Sequence, residues 1–122
     1  MAPTTSSIGA PTRTRPTLRA RTKHGGAFEN PSLDLLRTLV FGLGPGNPYL
    51  VIDQVDMPDG DHYAQALHRS DGSWVVEYRD GSRSRHFQAF APGPSVVYQV
   101  LAGWALHLPD WQHPLAWRPV FQ

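Results

Sequence analysis

The stretch Trp74–Phe87, WVVEYRDGSRSRHF, decides the fold. Its first half is β-branched and aromatic, a composition that suits a pleated, half-buried surface. Alternation with a period of two sets Trp74, Val76 and Tyr78 on one side of a strand, and Val75 and Glu77 on the other. Asp80-Gly81-Ser82-Arg83 supplies turn chemistry, and Arg85–Phe90 reads as the returning strand. A hairpin centred on residues 80–83 brings Glu77 near Arg85 or His86. One side of it packs a core, and the other presents a charged, mostly solvated surface.

The same logic extends in both directions. Tyr49–Val55 is apolar and β-branched, and His62–Arg69 alternates loosely; both read as strands. Ser70-Asp71-Gly72 links the second of them to Trp74 through a tight-turn signal. Four consecutive strands joined by short turns make an antiparallel meander. Upstream, Asn30 suits a helix N-cap and Pro31 the first helical position. Asp34 complements the positive helix end, and Leu33, Leu36 and Val40 repeat at helical spacing up to Gly42. Downstream, Ser95 opens a second helix that runs to about Leu106, with Val97, Val100, Leu101 and Trp104 on one face. Leu115–Val120 adds a short edge strand, because Pro119 cannot donate to a central ladder. The expected fold is therefore α+β: a four-stranded antiparallel meander with two helices packed on one face and a short C-terminal edge strand.

Residues 1–27 read differently. They are rich in Thr, Ser, Pro, Gly and Arg and poor in large apolar side chains, so they are expected to form a disordered arm ahead of a single domain at 28–122. The arm carries Arg13, Arg15, Arg19, Arg21 and Lys23 with no acid, a charge of +5; the body has six arginines against ten acids, a charge of −4. Two roles are open to the arm, an electrostatic grip on nucleic acid or a merely solvated extension. The arginines have no aromatics between them to stack on bases. The chain has no cysteine, which removes disulfides, thiolate metal sites and thiol nucleophiles. No apolar run approaches the roughly 18–20 residues that span a bilayer, and the expected setting is the cytoplasm, away from membranes.

Histidine spacing gives no metal pattern. His62 and His68 share a face of one strand but stand about 20 Å apart at roughly 3.3 Å per residue. Glu77, Tyr78 and His86 offer acid/base chemistry, yet Glu77 opposite Arg85 is equally a cross-strand ion pair. Nucleophile elbow, P-loop and dinucleotide fingerprints are all missing. Neither catalysis nor a cofactor is expected. Asp53, Asp56, Asp59 and Asp61 cluster at the first strand-to-strand turn without the closing glutamate of a calcium loop. They form either a solvated turn or an acidic patch for a basic protein surface. Trp74 and Trp104 are in phase with the core, whereas Trp111 and Trp117, in a less regular segment, either seal its C-terminal end or form an interface anchor.

Asn30-Pro31, the Val75–Gly81 run VVEYRDG with His86-Phe87, the 95–106 helix and Trp117-Arg118-Pro119 together resemble a pattern in small actinobacterial proteins. Those proteins resemble the first numbered family of immunity proteins in bacterial polymorphic-toxin systems. The likeness spans about residues 28–120. It implies a non-catalytic domain that binds and neutralises a cognate toxin. With the body charge of −4, the partner expected is a basic protein. The expected contact residues are Asp53, Asp56, Asp59, Asp61, Glu77, Arg79, Arg85 and His86. The alternative is a nucleic-acid-associated or assembly-docking factor that works through Arg13, Arg15, Arg19, Arg21 and Lys23.

Overall fold

A computed structural model describes residues 17–57 and 61–120. The described chain runs β1 (Leu18–Thr22), β2 (Ala27–Glu29), α1 (Leu33–Phe41), β3 (Tyr49–Gln54) and β4 (Asp61–His68). It continues with β5 (Trp74–Gly81), a 3-10 turn (Arg83–Arg85), β6 (His86–Ala91), α2 (Pro94–Ala105) and β7 (Arg118–Pro119). The strands form one antiparallel sheet in the order β2-β1-β3-β4-β5-β6-β7. The class is α+β as expected. The four-stranded meander is its centre, β3 to β6, and the two-residue β7 is the expected C-terminal edge.

The larger sheet comes from the segment expected to be a disordered arm. Leu18–Thr22 is a full strand beside β3, so the folded domain begins at least ten residues before Phe28. Its sequence LRART alternates, with Ala20 fully buried against Ile52 and Arg19 and Arg21 on the other side. Composition averaged over a polar segment hides a five-residue alternation with one large inward side chain, Leu18. Arg13 and Arg15 lie outside the described residues.

Asn30 does not cap α1. It sits at φ 47°, a conformation that asparagine tolerates better than most residues. Its Oδ1 accepts the N–H groups of Thr17 (2.9 Å) and Leu18 (3.1 Å), which ties off the β1–β2 hairpin. Ser32 is the N-cap instead, its hydroxyl accepting the Leu35 N–H at 3.0 Å. Gly42 closes the helix as expected. α2 starts at Pro94, with Gly93 rather than Ser95 as its cap.

Both helices lie on one face of the sheet. Below them run two cross-strand rows, Ala20–Ile52–Ala64–Tyr78–Phe87 and Thr22–Leu50–Ala66–Val76–Ala89. Their alanines let the helices approach closely. Leu36 and Val40 of α1 join Val97, Val100, Leu101 and Trp104 of α2 to fill the space above. Residues 106–117 complete this layer. Trp111 and Trp117 meet the Tyr78 ring edge-on at 4.9 and 5.0 Å, sealing the core, the first of the two roles open to them. Gly103 makes the closure possible, since a Cβ there would stand 2.8 Å from the Trp111 Cβ. No helix among the described residues is long and apolar enough to cross a membrane.

Candidate functional site

No described helix covers the opposite face of the sheet. Register assembles it in rows. One reads Glu29–Arg19–Asp53–Tyr63–Arg79–His86, and the next Ala27–Arg21–Val51–Gln65–Glu77–Gln88–Arg118. A third, Tyr49–Leu67–Val75–Phe90, is apolar.

The β5–β6 half of this face is a connected polar network. Arg79 donates Nε–H to His86 Nδ1 at 3.1 Å, and His86 Nε2 lies 2.8 Å from Glu77 Oε1. An arginine can only donate, so Nδ1 must be the bare nitrogen; the proton is on Nε2 and points at the carboxylate. The other Glu77 oxygen accepts Gln88 Nε2–H at 3.1 Å, and Gln88 Oε1 accepts Arg118 at 3.3 Å. Arg79 also faces Asp61 at 3.7 Å and lies 5.5 Å from the centre of the Tyr63 ring. Tyr63 meets His86 edge-on at 5.9 Å. Its phenol is held above the ordinary value of 10.0, chiefly by burial, against the lowering effect of Arg79.

This arrangement corrects one expectation and decides between the two partners open to Glu77. His86 is only 2% exposed and the Arg79 side chain 12%, so the charged side of the hairpin is packed rather than mostly solvated. Glu77 pairs with His86 and not with Arg85, which bonds to Asp80 instead. The 3-10 turn lengthens the connection, and Glu77 stands opposite Gln88 and diagonal to His86. With both ring nitrogens engaged and the ring buried, His86 serves as a brace between Arg79 and Glu77. Tyr78 projects to the helix side, so the candidate trio of Glu77, Tyr78 and His86 does not converge.

The acidic turn is also not one patch. Asp53 pairs with Arg21 at 2.9 Å within the sheet, Asp61 faces Arg79, and Asp56 is exposed in the turn. Asp59 lies outside the described residues. Arg19 pairs with Glu29 at 3.4 Å, while Lys23 is exposed in the β1–β2 turn. From residue 17 onward the chain carries nine basic side chains against ten acids, so the charge asymmetry between arm and body largely disappears. Gln88, Arg118, Tyr63, Phe90 and Arg69 belong to this face and escape sequence reasoning. Each lies on a strand or turn the sequence identifies, but only cross-strand register brings them together.

On the helix side a cleft of about 360 Å³ opens between the ends of β3–β5 and the α2 C-terminus. His62 Nδ1 faces Asp80 at 3.3 Å, and His107 Nε2 lies 3.1 Å from Gln54 Nε2. Gln112 donates to the Tyr78 hydroxyl at 2.9 Å. Burial raises the Tyr78 phenol above 10.0, with the Gln112 bond opposing. Glu77 and His86 do not line this cleft. His62 and His68 share the helix-side face but are used separately, His68 stacking on Trp74 at 4.2 Å. Among the described residues no group of three or more His, Asp or Glu side chains is placed to hold a metal ion. Comparison with protein-family models, with curated proteins and with solved structures gives no match.

Proposed function

We propose that this chain is a non-catalytic, protein-binding domain of the immunity type, and that its partner docks on the open face of the sheet. The observation that carries the reading is the contrast between layers. Both helices and the tryptophan segment are spent on one face, while the other has no described cover. That open face holds a pre-set network, Arg79–His86–Glu77–Gln88–Arg118, beside the half-exposed Phe90. Side chains locked before contact lose little entropy on binding, which favours specific recognition. A toxin as the partner follows from the resemblance in the VVEYRDG hairpin and the Trp-Arg-Pro ending. The near-balanced charge from residue 17 onward supplies no argument that the partner is basic. A nucleic-acid role through the N-terminal arginines has less support, since Arg19 and Arg21 are matched by Glu29 and Asp53.

Affinity capture from the native host tests the proposal, with Gln65→Arg placed mid-face on β4 and Gln99→Arg on exposed α2 as control. The expected result is one protein retained by the wild type and by Gln99→Arg and lost with Gln65→Arg. That protein should arrest growth when expressed alone and not when co-expressed with this chain. Retention by Gln65→Arg with loss in Gln99→Arg, or no specific protein at all, would overturn the proposal.

A further inference from the structure

The arginines of the open face fall into two groups. Arg19, Arg21 and Arg79 each have a carboxylate within ion-pair distance, at Glu29, Asp53 and Asp61. Arg69 and Arg118 have none among the described residues. Both converge on one side chain, their guanidinium carbons lying 5.6 and 5.9 Å from the centre of the Phe90 ring. Asp71 feels the Arg69 charge from beyond ion-pair distance, and its Oδ1 is occupied by the Ser73 N–H and hydroxyl. Among the described residues the hydrogen-bond acceptor of Arg118 is neutral, Gln88 Oε1. Two exposed cations thus flank a ring that is itself 50% exposed.

We infer that Arg69, Phe90 and Arg118 are the point at which the partner protein seats an aspartate or glutamate side chain placed beside an apolar group. The chemistry follows from what the spot lacks. A guanidinium fork matches a carboxylate in shape and charge, and the phenyl ring gives the neighbouring apolar group a surface to cover. Desolvating two like charges on one ring is favourable only when an anion arrives with the apolar group. A nucleic-acid backbone fits less well. It would have to track a cationic groove, whereas Glu77, Asp53 and Glu29 interrupt the same face. The inference rests on the proposed protein-binding role of this face and reverses the partner charge expected from the sequence. At this spot the partner is acidic.

The test pans a display library of random short peptides against the full chain and measures selected peptides by calorimetry. Enrichment of a carboxylate next to an aromatic or aliphatic side chain is expected. Arg69→Ser and Arg118→Ser should each weaken those peptides about tenfold or more, with Arg83→Ser, exposed on the 3-10 turn, neutral. All three side chains are exposed, so unchanged melting temperatures should accompany the losses. Selection of basic peptides, binding indifferent to Arg69 and Arg118, or no binder at this spot would overturn the inference. So would a single-stranded oligonucleotide that depends on both arginines where peptides do not. If a captured native partner is lost with Gln65→Arg but kept by an Arg69→Ser/Arg118→Ser double variant, the binding face stands and this inference falls.

Discussion

The two faces of one sheet are built from the same strands, offset by a single residue, and they solve different problems. The helix side is a matter of volume. Alanines at 20, 64, 66 and 89 make a shallow floor, and Leu101, Val97 and Val100 fill it with no exposure. The open side is a matter of direction. Arg79, His86, Glu77, Gln88 and Arg118 are ordered by which atom donates to which. The first face specifies the fold and tolerates shape-conserving change. The second holds its polar groups in fixed directions, which is the property a recognition surface needs.

Breaking the covered face should have the largest effect. Leu101→Ala removes a fully buried side chain between α2 and the sheet and should cost about 2–5 kcal/mol in urea or thermal melts. Breaking the open face should cost less. Glu77→Ala deprives His86 and Gln88 of their acceptor, and an unsatisfied buried donor costs about 1–3 kcal/mol. The same variant should impair partner binding, whereas Leu101→Ala should act on binding only through folding.

A third effect appears only in alkali and samples both faces at once. Tyr78 on the covered side and Tyr63 on the open side both have phenols raised above 10.0, mainly by burial. An acid whose folded pKa is raised prefers its neutral form when folded. The contribution is therefore whole below pH 10.0 and is lost as pH rises through the raised values. Denaturant titrations across this range should show stability falling, with a shallower fall in Tyr78→Phe and Tyr63→Phe. The smallest effect belongs to the exposed end of the open face. Arg19→Ala breaks a pair whose members are 40% and 58% exposed, and should change stability by about 0–1 kcal/mol, less in high salt.

Periodicity made β3–β6 and the body of both helices legible, because their apolar side chains are large enough for the repeat to show. β1 stayed hidden because Leu18 is the one large apolar side chain among its inward residues Leu18, Ala20 and Thr22. Asn30-Pro31 has the letters of a helix start, but the asparagine is held by Thr17 and Leu18, which lie twelve or more residues away in sequence. The candidate site was half legible. Alternation places Glu77, Arg79 and His86 on one side of the hairpin for any register of the same parity. Which of them touch depends on the 3-10 turn at Arg83–Arg85, whose Ser-Arg-Ser-Arg sequence does not announce one extra turn. Arg69 and Arg118 sit at the ends of elements far apart in the chain, and only the completed sheet brings both to Phe90.

The central claim is that the open face, and not the helix-side cleft, receives the partner. Backbone and side-chain NMR shifts of the labelled chain, recorded as the captured partner is added, test it directly. The account predicts changes concentrated at Tyr63, Gln65, Glu77, Phe90 and Arg118, with His107, Gln112 and the exposed side of α1 undisturbed. Changes centred on His107, Gln54 and Gln112, with Glu77 and Phe90 unmoved, would contradict it.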